Sequence, residues 1–381
     1  MRTPVPRRVL RAVAPIALLA VVLAACGAEE EAVPEPDDAE DASVEEDAAD
    51  TEDADANADA DAESDTGDDA AAAPENTVTV YTGRHYGIEP VFESFTEATG
   101  IEVRFTTGSD PELRERLLAE GENTPADVVM TADAANIALS SEAGLLAALD
   151  SEVLSDTIPE ELRAEDGTWY ALSRRIRVIQ YSEERLDTPP TTYAELGDPE
   201  YDGRLCLRPS THPYTQSLVA ALIRNEGAEE AERIVASWVA NDPIYINSDT
   251  DMLRAIEAGD CDVALANSYY LGRLKAEDPD FPVAISWTEQ DSVGAHTNIS
   301  AAAVTAAAPN PEAGQQLLEW LASDGLKEFS DVNFEYPAAT DVEPAEVLVG
   351  FGAFEPDHAS VRELGALNAE SVDLLAEVGY E

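Results

Sequence analysis

The fold is decided by the stretch TVTVYTGRHYGIEPVFESFTEATGIEVRF, residues 77–105. Its first five residues alternate and are rich in β-branched side chains, so they predict a strand over 77–81. Apolar residues then recur at helical spacing across 88–99, and Gly100 ends that helix. Residues 101–105 again predict a strand. This order of strand, helix and strand indicates a mostly parallel sheet covered by helices.

The same alternation extends over much of the chain. It continues with a helix, a strand and a helix over 111–118, 127–130 and 135–143. It recurs as a strand, three helices and a strand over 204–207, 214–225, 228–239, 250–258 and 262–266. Strands over 176–181 and 299–304 pass between the two groups. We therefore predict an α/β fold with two lobes, crossover strands and a ligand cleft between the lobes.

The charge of the chain excludes some functions. The sequence has 79 acidic and 22 basic residues, a formal net charge of −57. A negative field of this size repels phosphates, so binding of nucleic acid is excluded. The hydrophobic fraction of 44% owes much to alanine, which also excludes a protein with many membrane spans. The acidity favours a salt-rich habitat, and an ordinary acidic secreted protein is the alternative.

The N-terminus predicts export and a lipid anchor. Arginines precede an apolar run over residues 12–25 that is too short to span a bilayer but suits a signal peptide over 1–25. The run ends in LAACG, which resembles a bacterial lipobox and implies lipidation of Cys26. Residues 26–76 predict a disordered tether, because 27–75 contain 22 acidic residues, no basic residue and no aromatic one.

Motifs typical of enzymes are missing from the sequence. It contains no G-x-S-x-G, H-E-x-x-H, G-x-x-x-x-G-K or C-x-x-C motif, and only four histidines. A hydrolase would need one of those histidines beside a serine held on a sharp turn. We therefore expect a protein that is not an enzyme.

Tyrosines at the ends of predicted strands suggest a metal site. The residues in question are Tyr86 beside His85, Tyr181, and the pair Tyr269 and Tyr270. Each alone is more often a packing residue. Together, their hard oxygen atoms suit a hard trivalent cation, whose charge offsets the cost of ionising a phenol, about 4 kcal/mol at pH 7. Tyr201, which follows Pro199 in a predicted loop, is expected to be an ordinary surface tyrosine.

From residue 77 to about 380 the chain resembles the bacterial ferric-iron substrate-binding proteins of ABC transporters. The resemblance rests on the stretches VYTGRHYG (80–87), ADVVMTAD (126–133), WYALSRRIRVIQY (169–181), GRLCLRPSTHPYTQSLVAAL (203–222), CDVALANSYYLGRL (261–274), HTNISAAAV (296–304) and FEYP (334–337). It implies a two-lobed periplasmic-binding-protein fold of type II-like topology. The expected lobes are 77–176 with 298–344, and 177–297 with 345–381.

The resemblance also implies roles for single residues. It places His85, Tyr86, Tyr181, Tyr269 and Tyr270 at metal-binding positions. Ala132 stands where some members carry a glutamate ligand, so the chain is most similar to the tyrosine-rich branch, and ligation by His85 stays open. Four more residues are expected beside the site. Arg175 and Arg177 would offset phenolates or hold an anion, or would merely pair with acids at the surface. Asn267 and Asp133 would orient ligands.

Two cysteines remain in the exported part, Cys206 and Cys261. An even number favours a disulfide over two buried thiols, and cysteines pair at these positions in some relatives of the family.

The resemblance implies a monomeric receptor that is anchored by lipid on the outer face of the cell membrane. It would capture Fe³⁺, with or without a synergistic anion, and deliver it to an ABC permease. Two alternatives stay open: a binder of an organic cation such as thiamine or a polyamine, and, more remotely, a secreted hydrolase.

Overall fold

The computed structural model describes residues 76–84, 87–357 and 361–381. The predicted signal peptide and residues 26–75 of the predicted tether, including Cys26, lie outside the described residues, as do His85 and Tyr86. Within the described part, no helix is both long and apolar enough to span a membrane.

Strands and helices alternate along the chain, as predicted. The strands are β1 Thr77–Thr82, β2 Glu102–Thr107, β3 Val128–Thr131, β4 Tyr170–Ser182, β5 Leu205–Leu207, β6 Ile244–Tyr245, β7 Val263–Asn267, β8 Val283–Ser286, β9 Thr297–Val304 and β10 Tyr336–Pro337. The helices are α1 Glu89–Thr99, α2 Asp110–Glu120, α3 Ala134–Glu142, α4 Glu152–Thr157, α5 Pro213–Glu226, α6 Ala228–Ala240, α7 Asp249–Ala258, α8 Ser268–Glu277, α9 Pro311–Leu321, α10 Leu326–Asp331, α11 Glu346–Gly350, α12 Val361–Ala366 and α13 Asn368–Glu377. Short 3₁₀ turns occupy Gly121–Asn123, Glu160–Leu162, Ala194–Gly197 and Pro199–Tyr201.

The strands pair in the order β2-β1-β3-β9-β4-β7-β5-β6, with β8 and β10 also paired to β4. The strands β1, β2 and β3 are parallel, as are β5, β6 and β7. In contrast, β9 runs antiparallel to β3, and β4 runs antiparallel to both β9 and β7. Each lobe thus has its own parallel strands, whose connections pass through helices.

The thirteen-residue strand β4 belongs to both lobes. Its first half pairs with β9 as far as Ile176, and its second half pairs with β7 from Arg177 onward. Almost all of its side chains are buried, because elements of both lobes cover it. The predicted two-lobed α/β fold with crossover strands is therefore confirmed.

Each lobe has its own hydrophobic core. In the first lobe, α1 and α9 pack against the parallel strands through Phe95, Leu317 and Val78, all fully buried. In the second lobe, α5 and α6 pack against β5 and β7 through Leu218, Trp238 and other apolar side chains. Burial of apolar surface stabilises a fold by about 25 cal/mol per Å². These two cores therefore fix the positions of the strands and of their ends.

A disulfide joins Cys206 on β5 to Cys261, two residues before β7. This pairing was predicted, and it is confirmed. The two α-carbons are 6.0 Å apart and both side chains are buried. The bridge links two neighbouring parallel strands of the second lobe, one of which leads to Tyr269 and Tyr270.

Candidate metal-binding site

The tyrosine pair lies at the C-terminal end of β7, where this strand turns directly into α8. Tyr269 is 1% exposed and Tyr270 is half-buried. Their ring centroids are 4.2 Å apart with an interplanar angle of 31°. A parallel strand followed by a helix brings such residues to the ligand-binding edge of an α/β sheet. The structure thus places both tyrosines where the sequence predicts them.

A third tyrosine, Tyr214, completes a cluster that the sequence did not predict. It lies in the first turn of α5, and its phenol oxygen is 3.1 Å from that of Tyr269. Two oxygens at about 2.0–2.1 Å from one octahedral cation are about 2.9 Å apart, so this spacing suits neighbouring ligands of a single hard metal. A signal existed in the sequence: Tyr214 follows β5, and β5 is a parallel neighbour of β7.

Arg175 brings a positive charge to this cluster. Its side chain is 1% exposed. One terminal nitrogen, Nη1, donates to the phenol oxygen of Tyr214 at 3.3 Å, and Nη2 donates to the carbonyl oxygen of Ile299 on β9 at 3.1 Å. The guanidinium therefore lies between β9 and α5. It is next to the phenol oxygen of Tyr214, which becomes negative if the phenol loses its proton.

Arg177 is equally buried but has a different partner. Its Nη1 forms an ion pair with Asp249 at 3.1 Å, and its Nη2 donates to the carbonyl oxygen of Leu265 at 2.7 Å. Asp249 also pairs with Arg208 at 3.3 Å. These contacts join β4 to β7 and α7, so Arg177 contributes mainly to the alignment of these elements. The alternative of a surface ion pair is wrong for both predicted arginines, since both are buried.

His212 fixes the backbone of Tyr214. Its Nδ1 accepts a hydrogen bond from the Tyr214 N–H at 3.2 Å, and its Nε2 lies 2.7 Å from Nη2 of Arg208. Burial and then the neighbouring Arg208 lower the pKa of His212 to about 3. The ring is therefore neutral at pH 7, and it serves as the N-cap of α5.

The structure does not bring Tyr181 to the cluster, so its predicted role as a ligand is wrong. Tyr181 pairs with Val263, four residues before Asn267 along β7. At about 3.3 Å per residue, that places it about 13 Å from the end of β7 that carries the tyrosine pair. The cause is that β4 runs antiparallel to β7, so its C-terminal end meets the opposite edge of the sheet. Burial raises the pKa of Tyr181, with Glu183 adding to the shift.

The remaining predicted residues have other partners. The Oδ1 of Asn267 accepts from Arg177, and its N–H donates to Asp249. Asp133 is the N-cap of α3, where its Oδ1 accepts from two backbone N–H groups, while its Oδ2 accepts from Asn298 at 3.0 Å. The hydrogen bonds found for Asn267 and Asp133 within the described residues do not include a tyrosine, and their predicted role in orienting ligands stays a prediction.

Asp110, which no pattern in the sequence marks, lies beside Ala132. The Ala132 N–H donates to both of its carboxylate oxygens, at 3.0 and 3.3 Å. Burial, followed by the negative charge of Asp133, raises the pKa of Asp110 to about 7. The first lobe therefore has a buried acid near the position where some members of the family carry a glutamate.

Other donor types do not gather into a metal site in the part of the chain that the structure describes. Within those residues there is no group of three or more His, Cys, Asp or Glu side chains that could hold a metal ion. The candidate donors there are therefore the phenol oxygens of Tyr214, Tyr269 and Tyr270.

Comparisons with known proteins identify the family of this chain. The family model described as "Bacterial extracellular solute-binding protein" matches residues 91–349. Iron uptake protein A1 of Synechocystis is 34% identical over 319 residues, which cover 81% of this chain and 88% of that protein. It is named as an uptake protein, not as an enzyme.

Two solved structures show the same architecture. The Trichodesmium protein IdiA (FutA), in complex with iron and citrate, has a TM-score of 0.75 and 36% identity, covering 80% of this chain and 100% of that one. The ferric binding protein from Campylobacter jejuni has a TM-score of 0.73 and 32% identity, with 80% and 100% coverage. The chain belongs to the bacterial extracellular solute-binding proteins and, within them, to the periplasmic ferric-iron-binding proteins.

Proposed function

We propose that this protein captures Fe³⁺ in the cleft between its lobes and delivers it to an ABC permease. The observation that carries the proposal is the 3.1 Å contact between the phenol oxygens of Tyr214 and Tyr269, with Tyr270 beside them. These three tyrosines are the proposed ligands from the second lobe. His85 and Tyr86 are the proposed ligands from the first.

The cluster of phenols favours a highly charged metal ion, because only such an ion offsets the cost of removing the phenol protons. A phenol that binds the metal loses its proton, and a trivalent ion offsets the cost of about 4 kcal/mol at pH 7. Each bound phenolate then brings one negative charge into the cleft. The guanidinium of Arg175, 3.3 Å from the oxygen of Tyr214, offsets part of that charge.

Besides these side chains, an anion is also a proposed ligand of the metal. Arg175 has the donors and the charge to hold a carboxylate that shares the metal. The Trichodesmium relative was solved with iron and citrate. Citrate, a dicarboxylate or carbonate beside Arg175 would complete the coordination in the proposed site.

The two alternatives are less well supported. An organic cation such as thiamine or a polyamine would meet Arg175 and Arg273, whose guanidinium carbon lies 5.1 Å from the ring centroid of Tyr269. An organic cation does not take the protons from the phenols, so these positive groups would repel it without the phenolate charge that offsets them around Fe³⁺. For the hydrolase, the motifs that would hold a nucleophile are missing from the sequence. We therefore propose that the protein is not an enzyme.

The N-terminal residues bear on where the protein works. We propose that residues 1–25 are removed, that Cys26 is lipidated and that the acidic residues 26–76 serve as a tether. A flexible chain of ~50 residues reaches about 40 Å, and repulsion between its charges extends it further. A monomer on such a tether, outside the cell membrane, would reach the permease without leaving the surface.

Loading with ferric citrate tests the proposal directly. Purified protein should turn orange-red because electrons transfer from phenolate to Fe³⁺, and the band should saturate at one iron per chain. Titrations with thiamine and spermidine serve as comparisons and should leave the spectrum and the melting temperature unchanged. A colourless protein that binds no iron, or one that is stabilised only by an organic cation, would contradict the proposal.

A further inference from the structure

The segment 332–335, between α10 and β10, touches elements that carry both halves of the proposed iron site. It includes the first two residues of the FEYP stretch, whose role the site does not explain. Its contacts reach Arg84 and Gly87, which flank His85 and Tyr86, and also α8, which carries Tyr269 and Tyr270.

On the side of the first lobe, this segment holds the flanks of the predicted ligand pair. Glu335 is 1% exposed and accepts from Nη1 of Arg84 at 3.1 Å, in an ion pair that is fully buried. Arg84 also donates to the carbonyl oxygen of Phe329 at 2.7 Å and lies over the Phe329 ring. Gly87 packs so closely that an added Cβ would be 3.0 Å from Cγ2 of Val332.

On the side of the second lobe, the same segment contacts α8. The Oδ1 of Asn333 accepts from Nη2 of Arg273 at 2.8 Å. The Arg273 guanidinium carbon lies 5.1 and 5.5 Å from the ring centroids of Tyr269 and Tyr270. Such a separation is typical of a cation held over aromatic rings. Asn333 therefore fixes the side chain that covers both tyrosines.

Asn333 is the residue that meets both sides. Its carboxamide nitrogen and oxygen are 3.6 and 3.7 Å from the position of a Cβ on Gly87, and its oxygen holds Arg273. The side chain is 3% exposed, so water does not screen these contacts.

The backbone of the segment is held in an unusual conformation. Phe334 has φ +55°, in the left-handed region that bulky residues rarely adopt. This strained conformation persists because surrounding contacts enforce it. A Cβ on Gly272 of α8 would lie 2.9 Å from the Cβ of Phe334, so this residue also packs closely on the second lobe.

We propose that Asn333 is a positioning residue that aligns the two halves of the iron site. It holds Arg273 over Tyr269 and Tyr270 and packs against the chain beside His85 and Tyr86. The inference rests on the proposed ferric function, because alignment matters only if ligands from both lobes share one metal. Loss of its carboxamide would leave the ligands present but misaligned.

The test compares Asn333→Ala with Asn333→Asp and with a matched control. Asn333→Ala removes the acceptor for Arg273, whereas Asn333→Asp retains an oxygen at that position. The control is Asn225→Ala, which removes an asparagine that also accepts from an arginine, Arg224 at 2.7 Å. Asn225 lies near the far end of α5, eleven residues and about 16 Å along the helix from Tyr214.

Each variant is titrated with ferric citrate while the visible band is recorded, and the melting temperature of the iron-free protein is measured separately. Asn333→Ala should lower iron affinity about 10–100-fold, as loss of a residue that orients ligands does, and should shift the band. Asn333→Asp should stay within about twofold of the parent, and Asn225→Ala should keep both the band and the affinity.

If Asn333→Ala fails to fold, Arg273→Met tests the same contact from the other side and should shift the band similarly. Parent-like iron binding by Asn333→Ala, or equal losses in Asn333→Ala and Asn333→Asp, would refute the positioning role while a coloured parent upholds the iron site. A parent without an iron band would overturn both proposals.

Discussion

Replacing Tyr214 with phenylalanine probes the central contact of the site. The substitution keeps the ring and removes one oxygen. That oxygen lies 3.1 Å from the oxygen of Tyr269 and accepts from Arg175 at 3.3 Å. The hydrogen bond to the guanidinium is the more costly to lose, since its donor is charged and buried. We expect the iron-free protein to lose about 1–3 kcal/mol of unfolding free energy.

The effect on iron should be far larger than the effect on stability. If Tyr214 is a direct ligand, as proposed, it contributes an anionic oxygen that phenylalanine cannot replace. Loss of a residue that only orients ligands lowers metal affinity about 10–100-fold. Loss of Tyr214 should therefore lower iron affinity by more than that. The charge-transfer band should also weaken and shift, because one of its donors is gone. Tyr269→Phe should behave in the same way.

Tyr181→Phe is the matched control, because Tyr181 is a half-buried tyrosine of the same lobe at the opposite edge of the sheet. Its unfolding free energy should change by at most about 0.5 kcal/mol, with parent colour and affinity. The assay is a titration of all three variants with ferric citrate, followed at the visible band, with urea unfolding of the iron-free proteins. Parent-like iron binding by Tyr214→Phe, or loss of colour in Tyr181→Phe, would refute the assignment.

Three further predictions concern other parts of the chain. Loss of the disulfide through Cys206→Ala with Cys261→Ala should cost about 4 kcal/mol in the chain-entropy model for a separation of 55 residues, measured by urea unfolding; two free thiols in the denatured, unreduced parent would contradict the bridge. Cys26→Ser should release the protein from the membrane fraction with iron binding intact, and retention of this variant would count against lipidation. Asp110 has a pKa raised to about 7 from 3.8, so folding takes up a proton and stability falls as pH rises from about 4 to 7. Asp110→Asn should remove this fall, which melting temperatures at pH 5, 7 and 8.5 would show as a gain over the parent that grows with pH.

The local patterns in the sequence predicted the elements well but not the direction of every strand. The strand, helix and strand over 77–105 were correct to within a residue or two, because hydrophobic periodicity and Gly100 are local signals. Tyr181 was misplaced because its strand was treated like the parallel ones. Whether a strand runs parallel or antiparallel depends on its partner, and a single strand does not encode that choice.

Residues whose burial depends on distant elements were also misjudged. Tyr201 was expected on the surface, yet it is 2% exposed, on a 3₁₀ turn that packs into the core of the second lobe. Tyr214 was overlooked because it lies within a helix and not at a strand end. Tyr201 was assigned to a loop and Tyr214 to a helix, and neither assignment shows which way a side chain faces, because that depends on the elements packed around it.

Buried contacts hold the second-lobe half of the proposed site in place. The phenol oxygens of Tyr214 and Tyr269 are 3.1 Å apart, within hydrogen-bonding distance of each other. Their neighbours are fixed by buried charges: Arg175 joins Tyr214 to β9, and Arg177 ties β4 to Asp249. If these residues bind Fe³⁺ as proposed, they lose little conformational entropy, and the binding free energy is available to bring the proposed first-lobe ligands to the same ion.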